Sequence, residues 1–118
     1  METGIRNLRL ATGTQVPCLV HGEADAPPLL LLHPWGESHR RFDRLVPRVP
    51  GFRVYAPDLR GQGNADKPLD GYSLKGQAGD AAAILDALEV SRAFVLGSSS
   101  GGYDGQQLAA DHPGHVAA

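Results

Sequence analysis

The sequence predicts an α/β fold with a mostly parallel sheet, an N-terminal antiparallel hairpin and helices on both faces. Three observations carry this prediction. Short apolar segments alternate with helical ones, a continuous apolar run occupies 29–33, and a later apolar run at 93–96 leads directly into Gly-Ser-Ser-Ser-Gly. Alternating strands and helices favour a parallel sheet with right-handed crossovers. A continuous apolar run is typical of a strand that is buried on both faces.

The N-terminal part of the chain predicts three strands. Residues 5–10 and 15–20 are short strand candidates, and the Ala-Thr-Gly-Thr segment between them is a turn of hairpin length. This hairpin is expected to form an antiparallel edge of the sheet. After a polar, proline-containing loop, the apolar run 29–33 is the predicted central strand.

Three helices and two further strands complete the predicted fold. The first helix can begin at Ser38 and is expected to end or bend at Pro47. The second can begin at Ser73, and its polar face is expected to carry charged residues, Asp80 among them. The third is expected to stop before Pro113. The strands are predicted at 51–56 and 92–96, and the glycine-rich loop 58–68 is a candidate wall of the active site.

The length and composition are those of one small domain. With 118 residues and 42% hydrophobic content, the chain can bury one core, so residues 1–118 are predicted to form a single domain. A net charge of -2 without any lysine or arginine block argues against nucleic acid or an anionic membrane as partner. The N-terminus has no apolar signal core, so a cytoplasmic location is expected. The single cysteine, Cys18, lacks metal-ligand spacing, and neither a metal nor another cofactor is predicted.

The Gly-x-Ser-x-Gly pattern selects one serine of the three in a row. In a tight turn from strand to helix, the crowded backbone leaves room only for glycine two residues before and two residues after the exposed serine. Ser99 has Gly97 before it and Gly101 after it. Neither Ser98 nor Ser100 has glycine at both of these positions. Ser99 is therefore the predicted nucleophile.

The chain resembles the first half of an α/β-hydrolase. The resemblance rests on three motifs in order, each at a predicted strand end: His33-Pro-Trp-Gly-Glu-Ser, Asp58-Leu-Arg-Gly-Gln-Gly and Gly97-Ser-Ser-Ser-Gly101. The resemblance implies hydrolysis of a carboxylic ester or related acyl bond in a small molecule, through an acyl-enzyme on Ser99. An aspartate nucleophile, as in related dehalogenases and epoxide hydrolases, is excluded by Ser99 itself.

The resemblance also implies an oxyanion hole built from two backbone N–H groups. One would belong to Ser100. Family members usually have glycine after the histidine of the first motif, but here Pro34 stands there and has no N–H. The second donor is therefore expected from Trp35, with Gly36 as the alternative. The ring of Trp35 would wall the acyl pocket.

The sequence does not identify the catalytic acid and base. In the family these residues lie well beyond the nucleophile, and only nineteen residues follow Ser99. The rise of an α-helix would leave His112 roughly 18–20 Å from Ser99. His33, at the end of the central strand, and His39, near the start of the next helix, are the candidate bases. In the family, however, the histidine at the position of His33 usually holds its loop by hydrogen bonds.

Three interpretations stay open. The first is a serine hydrolase of which this chain is the N-terminal half, without the acid and base. The second is a miniature hydrolase completed by His33, His39 or a second chain. The third is a non-catalytic binding or assembly module. The strand at 92–96 is expected to leave an open apolar edge, which predicts a homo-dimer or a complementing chain.

Overall fold

A mixed sheet of five strands forms the centre of the computed structural model, which describes all 118 residues. The strands are β1 (Glu2–Arg9), β2 (Gln15–Gly22), β3 (Pro28–Leu32), β4 (Arg53–Pro57) and β5 (Phe94–Gly97). Their spatial order is β1-β2-β4-β3-β5. The β3 strand pairs in parallel with both β4 and β5, whereas the β1–β2 and β2–β4 pairs are antiparallel. The predicted fold class is confirmed, including the N-terminal hairpin. The strand predicted as central, β3, is an interior strand with parallel partners on both sides, whereas β4 lies in the middle of the order.

Two α-helices cover one face of the sheet. Helix α1 spans Leu74–Ala87 and helix α2 spans Ser100–Asp111. The hydroxyl of Ser73 accepts a hydrogen bond from the Gly76 N–H at 2.9 Å and so caps α1, as the sequence predicted. Neither helix is long and apolar enough to cross a membrane.

The other face is covered by two short 3₁₀ helices, where the sequence predicted one longer helix. They span His39–Phe42 and Val46–Arg48. The Ser38 hydroxyl does accept a hydrogen bond from the Arg40 N–H, at 3.2 Å. Pro47 has no N–H to continue an α-helix across the segment, so the helical turns stay short.

Strand β3 separates two parts of the core because its side chains alternate between the two faces. Leu30 and Leu32 face the α-helices, whereas Leu29 and Leu31 pack with Phe42 on the other side. The leucines at 30 to 32 have no solvent exposure. Strand β3 therefore packs against the helices on both faces of the sheet, and this packing fixes the position of its carboxyl end.

Asp80 corrects a prediction about α1. The sequence pattern placed it on the polar face, but only 2% of its surface is exposed. Its carboxylate accepts hydrogen bonds from the Arg60 guanidinium at 2.7 and 3.0 Å and from the Thr12 hydroxyl at 2.8 Å. The pair ties α1 to the loop after β4 and to the hairpin turn.

The C-terminal residues correct the expectation of an open edge at β5. After a 3₁₀ turn at Pro113–His115, the chain runs beside β5, and Val116 forms a parallel bridge with Ala93. The N–H of Ala117 donates to the Ala93 carbonyl at 2.8 Å, and the N–H of Val95 donates to the Ala118 carbonyl at 2.8 Å. The hydrogen-bonding edge of β5 is therefore partly covered by the chain itself.

Candidate active site

The candidate site lies where the parallel strands β3, β4 and β5 end. Carboxyl ends of parallel strands meet at one edge of a sheet, and ligands of open α/β sheets bind there. The segments that follow these strands are 33–38, 58–68 and 98–100, and they contain the three motifs singled out in the sequence. Hydrogen bonds between the segments show that the topology has brought them together.

Ser99 occupies a strained turn between β5 and α2. Its backbone has φ 55° and ψ -119°, a conformation that side-chain-bearing residues rarely adopt and that costs on the order of 1–3 kcal/mol. The turn is fixed by the Ser98 N–H, which donates to the Leu32 carbonyl at 3.0 Å, and by the Gly102 N–H, which donates to the Ser99 carbonyl at 2.8 Å. Ser99 is exposed, and its side chain makes no capping bond to α2.

The two glycines of the motif are required by close backbone contacts. A Cβ atom on Gly97 would collide with the carbonyl of Gly101 and would lie 2.5 Å from the Gly102 Cα. A Cβ atom on Gly101 would collide with the Leu32 carbonyl group, whose carbon lies 2.7 Å away. Strand β3, β5 and the start of α2 thus approach each other as closely as the sequence argument required.

The two predicted oxyanion donors, Trp35 and Ser100, are neighbours in space. The Trp35 N–H donates a hydrogen bond of 2.6 Å to the hydroxyl oxygen of Ser100. The first N–H groups of a helix, where Ser100 lies, have no acceptor within the helix. The alternative donor, Gly36, instead donates its N–H to the Gln62 side chain at 2.7 Å.

The indole ring of Trp35 stands beside the same site. It is 57% exposed and packs edge to face on Tyr72, with 5.8 Å between the ring centroids. Tyr72 is itself held by a hydrogen bond from its hydroxyl to the Pro68 carbonyl at 2.6 Å. The loop predicted as a wall of the site therefore ends close to the aromatic pair.

His33 is buried and committed to its surroundings. Its Nε2 accepts a hydrogen bond from the Leu59 N–H at 3.0 Å, so the proton of the neutral ring lies on Nδ1, which donates to the Pro34 carbonyl at 2.7 Å. Burial lowers the pKa of His33 below its ordinary value. The ring thus joins two loops and leaves neither nitrogen free to accept a proton from Ser99.

His39 is paired with a buried carboxylate. Asp58, which is 1% exposed, accepts hydrogen bonds at Oδ1 from the His39 N–H at 2.8 Å and from the His39 ring Nδ1 at 2.7 Å. Its Oδ2 accepts the Asn64 N–H at 2.9 Å. Burial acts to raise the pKa of Asp58, but these hydrogen bonds outweigh it and hold the pKa below the ordinary value. The arrangement orients the His39 ring and leaves its Nε2 free of hydrogen bonds within the chain.

Neither candidate base forms a hydrogen bond with the candidate nucleophile. The ring hydrogen bonds of the histidines go to other groups, in His21 to Thr3, in His33 to Pro34 and Leu59, in His39 to Asp58 and in His115 to Asp86. No group of three or more His, Cys, Asp or Glu side chains is placed to hold a metal ion.

The contacts or burial of three polar residues at or near the site were not predicted from the sequence. Asp58 begins a motif, but its pairing with His39 was not predicted. The signal that could have indicated a buried role for Asp58 is its position directly after a buried strand. Gln62 fixes the loop after β3 through Gly36. Asp104 lies on α2, is only 4% exposed, and its pKa is raised by burial to about 6. Its spacing of four from the buried Leu108 could have indicated an inward position.

An exposed serine in a strained turn between a parallel strand and a helix defines the class of proteins built around a nucleophile elbow. The family model described as the α/β hydrolase fold matches residues 27–118, so the chain belongs to that family.

Individual relatives agree with this assignment. The chain is 32% identical to the AB hydrolase superfamily protein YisY of Bacillus subtilis, over 89% of the chain and 40% of that protein. It is 32% identical to the fluoroacetate dehalogenase of a Burkholderia species, over 86% of the chain and 34% of that protein. The crystal structure of a hydrolase from Pseudomonas aeruginosa superposes with a TM-score of 0.90 and 34% identity, over 96% of the chain and 43% of that structure. The chain thus spans less than half the length of these relatives.

Proposed function

We propose that the chain carries the nucleophile of a serine hydrolase that cleaves a carboxylic ester or related acyl bond in a small molecule. The observation that carries this proposal is the backbone of Ser99, which is held at φ 55° with its side chain exposed. Strain of this kind persists only where the surrounding structure enforces it, and it is concentrated at functional sites. The contacts at Gly97 and Gly101 supply that enforcement.

The proposed reaction has two halves. The Ser99 oxygen attacks the carbonyl carbon while its proton passes to a base, and the carbonyl oxygen becomes an oxyanion. The N–H groups of Trp35 and Ser100 would hold that oxyanion. The bond to the leaving alcohol then breaks, and the alcohol takes the proton. Water attacks the acyl-enzyme in the second half, releasing the carboxylic acid and restoring the Ser99 hydroxyl.

Among the histidines near this edge, His39 suits the role of base better than His33. A general base needs a free nitrogen, and both nitrogens of His33 are bonded to backbone groups. The His39 ring donates from Nδ1 to the Asp58 carboxylate, which favours the tautomer with an accepting Nε2. Because His39 forms no hydrogen bond with Ser99, the proposal includes a base from a complementing chain as the alternative.

A serine-directed probe tests the nucleophile. We expect a fluorophosphonate to form one adduct, on Ser99, and mass spectrometry to locate it. Without a base in contact the labelling should be slow. The adduct should disappear in Ser99→Ala and persist in Ser98→Ala, the matched control one residue away. An adduct on Ser98, or an undiminished adduct in Ser99→Ala, would contradict the proposal.

Hydrolysis of an activated ester tests the base. If His39 is the base, His39→Ala should lower the rate by roughly 10²–10⁴, whereas His21→Ala, at a half-buried histidine remote from the site, should leave it unchanged. An unchanged rate in His39→Ala would indicate that a partner chain supplies the base or that the oxyanion donors act without a base.

A second candidate function is a non-catalytic binding or assembly module. It is favoured by an apolar groove of about 320 Å³ beside β5, lined by residues such as Val95, Gly105, Ala109 and Val116. We propose that this groove forms the interface of a homo-dimer in the cytoplasm. Light scattering at about 0.1 mM, a concentration suited to weak dimers, checks this, and a monomer at that concentration would contradict it.

A further inference from the structure

We propose that the Ser100 hydroxyl occupies the oxyanion hole of the resting protein and has to rotate away before the carbonyl oxygen of an acyl substrate can bind. This inference rests on the proposed role of Ser99 as nucleophile. It gives the Ser100 side chain a role as a competitor for the Trp35 N–H, which is separate from the donor role of the Ser100 backbone N–H.

The geometry around Trp35 carries the inference. An oxyanion donor lies about 2.7–3.1 Å from the position of the oxyanion. The Ser100 hydroxyl oxygen lies 2.6 Å from the Trp35 nitrogen, and it belongs to the residue that would supply the second donor. A carbonyl oxygen that bound the Trp35 N–H would therefore have to displace this hydroxyl. The Trp35 N–H has one hydrogen, so the two oxygens compete for it.

The hydrogen bond is not an ordinary helix cap. A capping side chain precedes the helix and accepts an N–H from the first turn of that same helix. Ser100 is instead the first residue of α2, and its hydroxyl accepts from a residue 65 positions away. The neighbouring N–H of Gly36 is already bonded to Gln62. The Gly36 N–H, which was the alternative donor, is therefore not free to replace the Trp35 N–H.

Removing the hydroxyl should make the oxyanion hole accessible. A neutral hydrogen bond typically shifts an equilibrium roughly three- to tenfold, and Ser100→Ala removes the competitor while keeping both backbone donors. We expect fluorophosphonate labelling of Ser99 to become about three to ten times faster in Ser100→Ala. If the hydroxyl instead donated to the oxyanion, the same substitution would slow the labelling.

Trp35 also provides a readout that does not depend on reactivity. It is the single tryptophan of the chain, so ¹⁵N-tryptophan labelling of the full chain yields one backbone amide signal in an NMR spectrum. In Ser100→Ala this amide proton should move upfield, and its exchange with solvent should accelerate about three- to tenfold. Ser100→Thr retains the hydroxyl and should keep the amide close to its original position. Ser98→Ala is the control for a change in the same turn.

The two measurements separate the possible failures. An amide signal that does not respond to Ser100→Ala, or labelling that slows or stays the same, overturns the inference. Absence of any adduct on Ser99 in every variant refutes the proposed function, while the amide signal still decides whether Ser100 holds the Trp35 N–H. Equal melting temperatures of the variants establish that the fold is intact.

Discussion

The turn around Ser99 and the network around His33 and Asp58 lie at the same edge of the sheet but are built in opposite ways. The serine side chain is exposed, and its backbone is strained. The histidine and aspartate side chains are buried and bonded to backbone N–H and carbonyl groups. One region holds a reactive group by the fit of its backbone, and the other holds its loops by side-chain hydrogen bonds.

This difference indicates how each region should fail. A change at the turn around Ser99 acts through steric overlap of backbone atoms, which cannot be relieved by moving a side chain. A change in the network around His33 and Asp58 acts by leaving buried backbone groups without partners. The two kinds of damage can therefore be compared by matched substitutions.

The largest effect is expected at Gly101. In Gly101→Ala the new methyl group overlaps the Leu32 carbonyl, so we expect the free energy of unfolding to fall by about 5 kcal/mol. Gly102→Ala is the matched control, because its nearest contact, the Gly97 carbonyl oxygen at 3.5 Å, is ordinary. Since alanine favours a helix over glycine, this variant should be neutral or more stable by about 0.5–1 kcal/mol. Urea denaturation measures both, and equal stabilities would refute the steric account.

The next effect is expected at His33. His33→Ala leaves the Pro34 carbonyl and the Leu59 N–H without a partner in the core, and we expect a loss of about 3 kcal/mol in the free energy of unfolding. His21→Ala, which removes a half-buried ring bonded to the exposed Thr3, should cost less than about 1 kcal/mol. If thermal unfolding shows similar losses for the two histidines, the buried network contributes less than its geometry indicates.

The smallest effect is expected at Asp104, and it depends on pH. Burial raises its pKa from 3.8 to about 6, so the folded chain holds this proton more tightly than the unfolded chain. The stabilisation by the neutral acid is complete below about pH 4 and is lost as the pH rises through 6.

Asp104→Asn replaces the carboxyl group with an amide, which stays neutral at every pH. It should raise the free energy of unfolding by about 2 kcal/mol at pH 8 and change it little at pH 4. Denaturation curves at both pH values check this, with the exposed Asp43→Asn as the control. A gain that is the same at both pH values would show that the charge of Asp104 is not its cause.

Local sequence signals predicted much of the fold and of the turn around Ser99. The caps at Ser38 and Ser73 and the glycines beside Ser99 act on nearby backbone, so short patterns reveal them. The expected α-helix after Ser38 became two 3₁₀ turns because Pro47 interrupts its hydrogen bonding.

The remaining features depend on partners that are distant in the sequence. The periodicity of α1 placed Asp80 on the exposed face of the helix. A helical pattern does not reveal that Arg60, from the loop after β4, pairs with this carboxylate. The hydrogen bond from Trp35 to Ser100 likewise exists only once β3 and β5 are neighbours. Roles of the candidate bases stay predictions, because a histidine's role depends on which groups surround its ring.

The close contact of Gly101 with the end of β3 also bears on the order in which the chain folds. The β1–β2 hairpin joins neighbouring segments, and hairpins form within about 1–10 μs. The pairing of Leu29 with Phe94 must instead close a long loop, which is slower. Because the turn at Ser99 takes shape only when α2 docks on β3, we expect the serine to gain its reactive geometry in the last stage of folding. Pulsed hydrogen exchange at the Trp35 amide, which bonds to Ser100 only when these elements meet, would then time this last stage during refolding.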